Sequence, residues 1–260
     1  MSVITLTTDF GLTDPFVGIM KGVIASRAPG VAVIDVSHGV PAQDVLAGAL
    51  VLRHAVPYFP AGSVHVAVVD PGVGTERRPL CVETTAGALV GPDNGVLSLA
   101  ASVLDVQRIV HLTEERFFLS PRSRTFHGRD VFAPVAAALA TGTPPSALGE
   151  TVAEMEHVSI PAVRRDGERL SGAVIYVDRF GNLVTNVDAT ALAPLPADAV
   201  GVRIAGRVLA GVHPSYGAVE RGMLVAVVNS WGLVEIAARD GSAAAQLAVG
   251  TGTAVVVERG

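Results

Sequence analysis

Cys81 is the only cysteine in the 260-residue sequence. An internal disulfide and a cysteine-built zinc site are therefore excluded. Lying in the apolar run Leu80-Cys81-Val82, it reads as a small buried hydrophobe. Charge is scarce as well: 17% of residues are charged while 50% are hydrophobic, which marks a compact globular chain and not a disordered one. A basic excess is missing, with 19 Lys and Arg against 24 Asp and Glu and a formal net charge of −5. Non-specific nucleic-acid binding needs a basic face, so a small-molecule partner is expected and nucleic acid is not. No apolar run approaches the roughly 20 residues of a membrane span, and the opening MSVITLTTDF lacks the basic start of a secretory signal. The expectation is a cytoplasmic protein with no membrane partner.

Several familiar chemical signatures are absent too. No GxxxxGK[ST] phosphate loop occurs, and no GxSxG nucleophile elbow. Gly72-Val73-Gly74 begins a dinucleotide fingerprint, but its third glycine position is Arg77. The seven histidines show neither HxH nor HExxH spacing, so no metal site is expected from them.

What is present is a strand–helix alternation followed by a run of short strands. Residues 3–8, 31–36 and 64–69 are β-branched, apolar and short, the pattern of buried strands. Between them, 16–28 and 45–57 carry apolar residues at helical spacing. This order predicts a mainly parallel sheet flanked by helices. Further strands are expected at 80–84, 88–90 and 108–112, with helices at 96–104 and 131–141. Residues 142–167 turn to Pro, Thr and Glu with short apolar pieces and read as a linker. Past it the helical period disappears. Six short strands at 173–177, 183–187, 200–204, 224–228, 234–237 and 254–257, separated by turn residues, predict an all-β, barrel-like domain. The predicted division is an α/β domain at 1–165 and an antiparallel β-barrel domain at 166–260.

Two of the early strands run into aspartates, Asp9 and Asp70. A carboxylate at the end of a buried strand faces the crevice where α/β sheets bind ligands. Arg77 and Arg78 follow within reach of it, and His127 stands at a predicted helix start, where backbone N–H groups face outward. Carboxylates, a histidine and arginines suit a metal, a phosphate or a nucleoside whose ribose hydroxyls need an acceptor. Asp93, in GPDNG, reads as turn chemistry. Arg129 and Asp130 read as a mutual pair or a helix cap, and His38 and His65 as packing or surface residues.

Six motifs occur in fixed order: TTDFG at 7–11, VDPGVGT at 69–75, GPDNG at 91–95, FHGRD at 126–130, DRFGNLVTN at 178–186 and NSWG at 229–232. Together they resemble the S-adenosyl-L-methionine (SAM) hydroxide adenosyltransferase family, SAM hydrolases related to fluorinating and chlorinating enzymes. The resemblance covers nearly the whole chain. It implies hydrolysis of SAM to adenosine and L-methionine by attack of activated water on C5′. It also implies a homotrimer with sites between subunits, no cofactor beyond the substrate, and no metal. By position, Asp70, Arg77 and His127 match the set that orients and activates water, with Arg78 taking the arginine's place if the loop is shifted. Asp9 matches the carboxylate on the ribose hydroxyls, and Asp14 and Gly128 nearby substrate contacts. Asp178 matches a contact to the methionine amino group, Phe180 and Asn182 residues beside the adenine, and Ser230, Trp231 and Glu235 the segment closing over the substrate. Two other classes stay open on the residues alone. One is a metal-dependent, phosphatase-like hydrolase using Asp9, Asp70 and His127; the other is a binder of SAM or adenosine without turnover.

Overall fold

The computed structural model describes residues 2–195 and 200–259. The chain forms two compact units, Met1–Ser159 and Ile160–Gly260.

The first unit opens with β1 (Val3–Thr8), α1 (Phe16–Arg27), β2 (Ala32–Ser37), α2 (Val45–Ala55) and β3 (Ser63–Val68). It continues with β4 (Pro79–Thr84), β5 (Gly87–Pro92), a single turn α3 (Ser98–Ala101), β6 (Val106–Leu112), α4 (Ala133–Ala140) and β7 (Gly149–Val152). One seven-stranded sheet results, in the order β2-β1-β3-β5-β4-β6-β7. The four strands β2, β1, β3 and β5 pair in parallel, and β4, β6 and β7 are added antiparallel. All six residues of β3 are buried, as its near-continuous apolar run requires of a strand covered on both faces. On one face, Met20 and Ile24 of α1 and Val135 and Ala136 of α4 pack with Ile4, Leu6, Val64 and Val66. α2 begins at Asp44, whose carboxylate accepts from Ala47 N at 2.9 Å. Gly48 lets this helix approach the sheet: a Cβ there would lie 2.8 Å from Val69 Cγ2.

The order β2-β1-β3 places β2 and β3, the next two strands of the chain, on opposite sides of β1. This is a topological switch point, and ligands of open α/β sheets bind beside it at the carboxyl ends of the strands. β1 and β3 lie in register there, Thr8 against Val68; Asp9 follows β1 directly and Asp70 follows β3 after Val69, so both stand at the same end of neighbouring strands.

The second unit contains β8 (Arg164–Asp166), β9 (Arg169–Val177), β10 (Leu183–Asp188), α5 (Ala189–Leu192), β11 (Val200–Ile204), β12 (Arg207–Ala210), β13 (Leu224–Val228), β14 (Leu233–Ala238), α6 (Ala243–Leu247) and β15 (Ala254–Arg259). Every pairing is antiparallel, in the order β12-β11-β15-β9-β10-β14-β13 with β8 on β9. A bridge from His213 to Val227 ties the segment after β12 to β13, which brings the two ends of the sheet together in a barrel-like curl. The barrel core gathers Leu170, Val174, Leu183, Val202, Ile236 and Val257.

The α/β unit and the β unit bear out the expected fold class. Three local expectations need correction. The stretch 142–167 is not a bare linker: it holds β7, which pairs with β6, and β8, which pairs with β9. Both are short, polar strands at or off the edge of a sheet, where no core face imposes the alternation that marks a strand in sequence. The helix expected at 96–104 shrinks to α3 because Gly95 (φ +95°) and Asn94 bend the chain into it. β12 is missing from the expected strands; it is a four-residue edge strand reached through the tight turn Ala205-Gly206, both at positive φ.

Candidate active site

In the first unit, Asp70, Arg77 and His127 meet. Pro71 and the residues after it turn the chain back, with Thr75 Oγ1 donating to Gly72 O at 2.7 Å and Val73 N to Asp70 O at 3.2 Å. Gly74 is required in this loop: at φ +76° a Cβ would stand 2.2 Å from the carbonyl oxygen of Arg124. The loop returns Arg77 onto Asp70 as a fork. Nε donates to Oδ1 at 2.9 Å and NH2 contacts Oδ2, with both side chains almost wholly buried. The same NH2 lies 2.8 Å from His127 Nδ1, and the guanidinium stands over the Phe132 ring. Its remaining NH1 is buried without a partner among the described residues.

An arginine has only donors, so the nitrogen of His127 that faces it must accept. The neutral ring then carries its proton on Nε2. Burial and the Arg77 guanidinium together hold the His127 pKa below the ordinary histidine value, against an opposing pull from Asp70. His127 is the N-cap of a π-helical turn, Gly128–Phe132, that leads into α4. Gly128 is buried, and a Cβ on it would stand 3.2 Å from Met20 Sδ and Phe126 Cε2 and 3.3 Å from Phe10. Phe10, Phe16 and Phe126 form a ring cluster with centroids 5.2–5.8 Å apart. This cluster ties the His127 turn to the end of β1.

Asp9 lies at that end, half-buried, with Oδ2 accepting from Gln43 N at 2.8 Å. Asp14 is exposed in the turn before α1. Arg78 takes no part in the Asp70 array. Its Nε donates to Asp93 Oδ2 at 2.8 Å and NH2 to Glu154 O at 3.1 Å. Asp93 is thus more than turn chemistry, since its other oxygen accepts from Glu156 N at 2.7 Å. Arg129 and Asp130 do pair, and Asp130 Oδ2 also caps Ser123 N at 2.7 Å. Asn94, which sequence reasoning passed over, donates to Val69 O at 2.8 Å and braces the backbone next to Asp70.

The second unit carries the remaining residues. Asp178 holds its own turn and keeps one acceptor site on Oδ2: Oδ1 accepts from Phe180 N and Asn182 N, and Oδ2 from Asn182 Nδ2, each at 2.9 Å. Gly181 (φ +80°) closes that turn, leaving Phe180 74% exposed and Asn182 buried. Asp178, Phe180, Asn182, Tyr216 and Arg239 line a cavity of about 560 Å³. Glu235 is buried, its two oxygens accepting from Tyr216 Oη at 2.8 Å and Asn229 Nδ2 at 2.9 Å. Burial and this bond to Glu235 raise the Tyr216 pKa to about 12. Asn229 Oδ1 accepts from Trp231 N at 2.9 Å, which sets the turn that exposes Ser230; the Trp231 ring lies 5.3 Å from that of Tyr176.

Among the described residues, no group of three or more His, Cys, Asp or Glu is arranged to hold a metal ion, and no helix is long and apolar enough to cross a membrane.

Fold and site define an α/β-plus-β-barrel protein with a buried carboxylate–arginine–histidine array at the switch point of its α/β unit. The chain belongs to the SAM hydroxide adenosyltransferase family: residues 4–149 match the family's N-terminal domain and residues 172–256 its C-terminal domain. It is 44% identical to the (R)-S-adenosyl-L-methionine hydrolase of Salinispora tropica, with 99% of this chain and 98% of that protein covered. Identity to the protein of the same name from Thermus thermophilus is 42%, covering 95% and 96%. A fluorinase from an Actinoplanes species is a more distant relative, 26% identical over 73% of each chain. The crystal structure of an uncharacterized conserved protein from Thermotoga maritima superposes with a TM-score of 0.92 at 35% identity, covering 99% of this chain and all of that one.

Proposed function

We propose that this chain hydrolyses S-adenosyl-L-methionine to adenosine and L-methionine, with water attacking C5′ in line with the C5′–S bond. The observation that carries this reading is the buried Asp70–Arg77–His127 array at the crevice, in a chain 42–44% identical to proteins named for this hydrolysis. As the water oxygen bonds to C5′, the C5′–S electron pair passes to sulfur. The sulfonium becomes a neutral thioether, so the leaving group needs no acid. Positive charge builds on the attacking oxygen, and a carboxylate held beside it stabilises that change.

The hydrogen bonds of the array favour Asp70 as the proton acceptor. His127 Nδ1 is taken by Arg77 and Nε2 carries hydrogen, so the neutral ring has no lone pair to offer. Each oxygen of Asp70 accepts from Arg77 and keeps a second lone pair, so Asp70 takes the proton of the attacking water. Arg77, with a pKa above about 12, is no base; it orients Asp70 and balances its charge. Asp9, with Oδ1 left for hydroxyls, holds the ribose, and Asp14 and Gly128 lie along the same substrate. Phe180 and Asn182 hold the adenine, Asp178 the methionine amino group, and the Ser230–Trp231 turn, braced by Glu235, covers the substrate. The chemistry draws on no cofactor and no metal.

The assembly proposed is a homotrimer with the substrate between subunits. Leu12, Phe16 and Ile19, 37–77% exposed beside the Asp9 turn, are large apolar side chains that a neighbouring subunit would cover. Sedimentation at three times the chain mass is the expected result.

The test is incubation of EDTA-treated protein with SAM, followed by chromatography, with wild type and Asp70→Asn in parallel. Adenosine and methionine in equal amounts from the wild type, and not from the variant, are expected. No adenosine from wild type would overturn the reading, and tight SAM binding in that case would mark a binding protein. Adenosine that appears only when metal is restored would point to the metal-dependent class.

A further inference from the structure

A second buried histidine lies next to the crevice. His38, 6% exposed, follows β2, and its Nδ1 lies 2.9 Å from Thr8 Oγ1, the last residue of β1. On the ring's far side Nε2 stands 3.0 Å from Asp35 Oδ1, close enough for strong attraction though off the direction of a linear hydrogen bond. Asp35 in turn is paired with Lys21, the only lysine of the sequence, at 2.6 Å. Lys21 and His38 pull the Asp35 pKa down against the opposing effect of its burial. A carboxylate facing Nε2 requires hydrogen on that nitrogen, so in the neutral ring Nδ1 accepts from the Thr8 hydroxyl.

The consequence falls on the turn that carries Asp9. Thr8 Oγ1 accepts from Phe10 N at 3.2 Å, and with its one hydrogen committed to His38 it is held as an acceptor. The His38 carbonyl accepts from Gly11 N at 2.8 Å, and Gly11 sits at φ +65°. Residues 8 to 11 are thereby pinned at both ends by one histidine. Thr8 itself is fully buried, so the Asp35–His38–Thr8 chain has no nucleophile to present to a substrate. Its output is geometry.

We infer that His38 is a positioning residue that, through the Thr8 hydroxyl and its own carbonyl, fixes the Asp9 turn and aims the Asp9 carboxylate at the ribose hydroxyls of the substrate. This rests on the assignment of Asp9 made under Proposed function. Steady-state kinetics and calorimetric SAM binding are measured for wild type, Thr8→Val, Thr8→Ser, His38→Ala and His38→Asn, with SAM and with its 2′,3′-dideoxy analogue. Thr8→Val and His38→Ala are expected to raise KM and Kd for SAM about 3- to 10-fold, the worth of one net hydrogen bond, with a smaller change in kcat. Thr8→Ser, which restores the hydroxyl, and His38→Asn, whose amide oxygen replaces Nδ1 as acceptor, return both constants towards wild type. The dideoxy analogue, with no ribose hydroxyls, shows no such penalty in any variant. A purely structural role would lower melting temperature and the active fraction while leaving KM alone. Unchanged KM and Kd for SAM in Thr8→Val, which conserves side-chain shape, overturn the inference, as does an equal penalty on the dideoxy analogue. Failure of the parent reading looks different: wild type then releases no adenosine, and Kd alone carries the comparison.

Discussion

Arg77 NH2 donates to His127 Nδ1 at 2.8 Å while the same guanidinium clasps Asp70. One donor group thus fixes the tautomer of the histidine and the orientation of the carboxylate. This explains why the fold buries an arginine at the carboxyl end of β3: the loop from Pro71 to Glu76 exists to bring it back.

The first prediction concerns the His127 proton. Burial and Arg77 favour the neutral ring, so its pKa lies below the usual value of 6.5. Above that pH the array is intact. As pH falls through the depressed pKa, Nδ1 gains a hydrogen and meets the Arg77 donor head on, so kcat/KM drops on its acidic limb. An NMR titration of the His127 ring reads the same event without catalysis. In Arg77→Met the pKa rises, because a positive neighbour is lost and Asp70 remains; in Asp70→Asn it falls further. A His127 pKa unmoved by Arg77→Met contradicts the arrangement.

Adjacent arginines offer a second contrast. Arg77 serves the array, whereas Arg78 holds Asp93 and the carbonyl of Glu154. Arg77→Lys keeps the charge but loses the two-pronged fork, and kcat is expected to fall about 10²-fold, within the range of a mispositioned base. Arg78→Ala leaves the buried Asp93 without its counter-charge and with only the Glu156 N–H as side-chain partner, at a cost of about 3 kcal/mol, and lowers the melting temperature while kcat per folded molecule holds. Assays normalised to the folded fraction by circular dichroism check both. The reverse pattern would transfer the proposed catalytic role from Arg77 to Arg78.

How far the sequence carried these conclusions depends on what each residue had to signal. β1, β2 and β3 declared themselves through short stretches rich in β-branched and apolar residues, and the aspartates after β1 and β3 were visible as strand-end carboxylates. Arg77 and Arg78, by contrast, are neighbours with identical side chains. The folded loop, in which Gly74 packs against Arg124 O, brings Arg77 and not Arg78 back to Asp70. His38 carried no signal, since a histidine after a strand looks the same whether it faces solvent or a threonine hydroxyl 30 residues away. Strands β7 and β8 escaped for another reason: polar edge strands are defined by their partners, not by their own pattern.

His65 supplies the last prediction, which concerns stability and not catalysis. It sits in β3, 4% exposed, with Nδ1 2.8 Å from Thr5 Oγ1 and Phe59 edge-on to its ring at 5.5 Å. Burial alone lowers its pKa to about 4. Above pH 6.5 the ring is neutral folded or unfolded and contributes no pH dependence. Between 6.5 and about 4 the unfolded chain takes up a proton that the folded one refuses, so stability falls as pH falls, by on the order of 3 kcal/mol in all. Below that window the term is constant. In His65→Asn, whose amide oxygen can still face the Thr5 hydroxyl, the term vanishes: urea unfolding from pH 7 to 4 is expected to show a slope smaller by close to one proton. Equal slopes for the two proteins would mean that His65 already carries its proton in the fold, and the Thr5 contact would then have to run in the opposite direction.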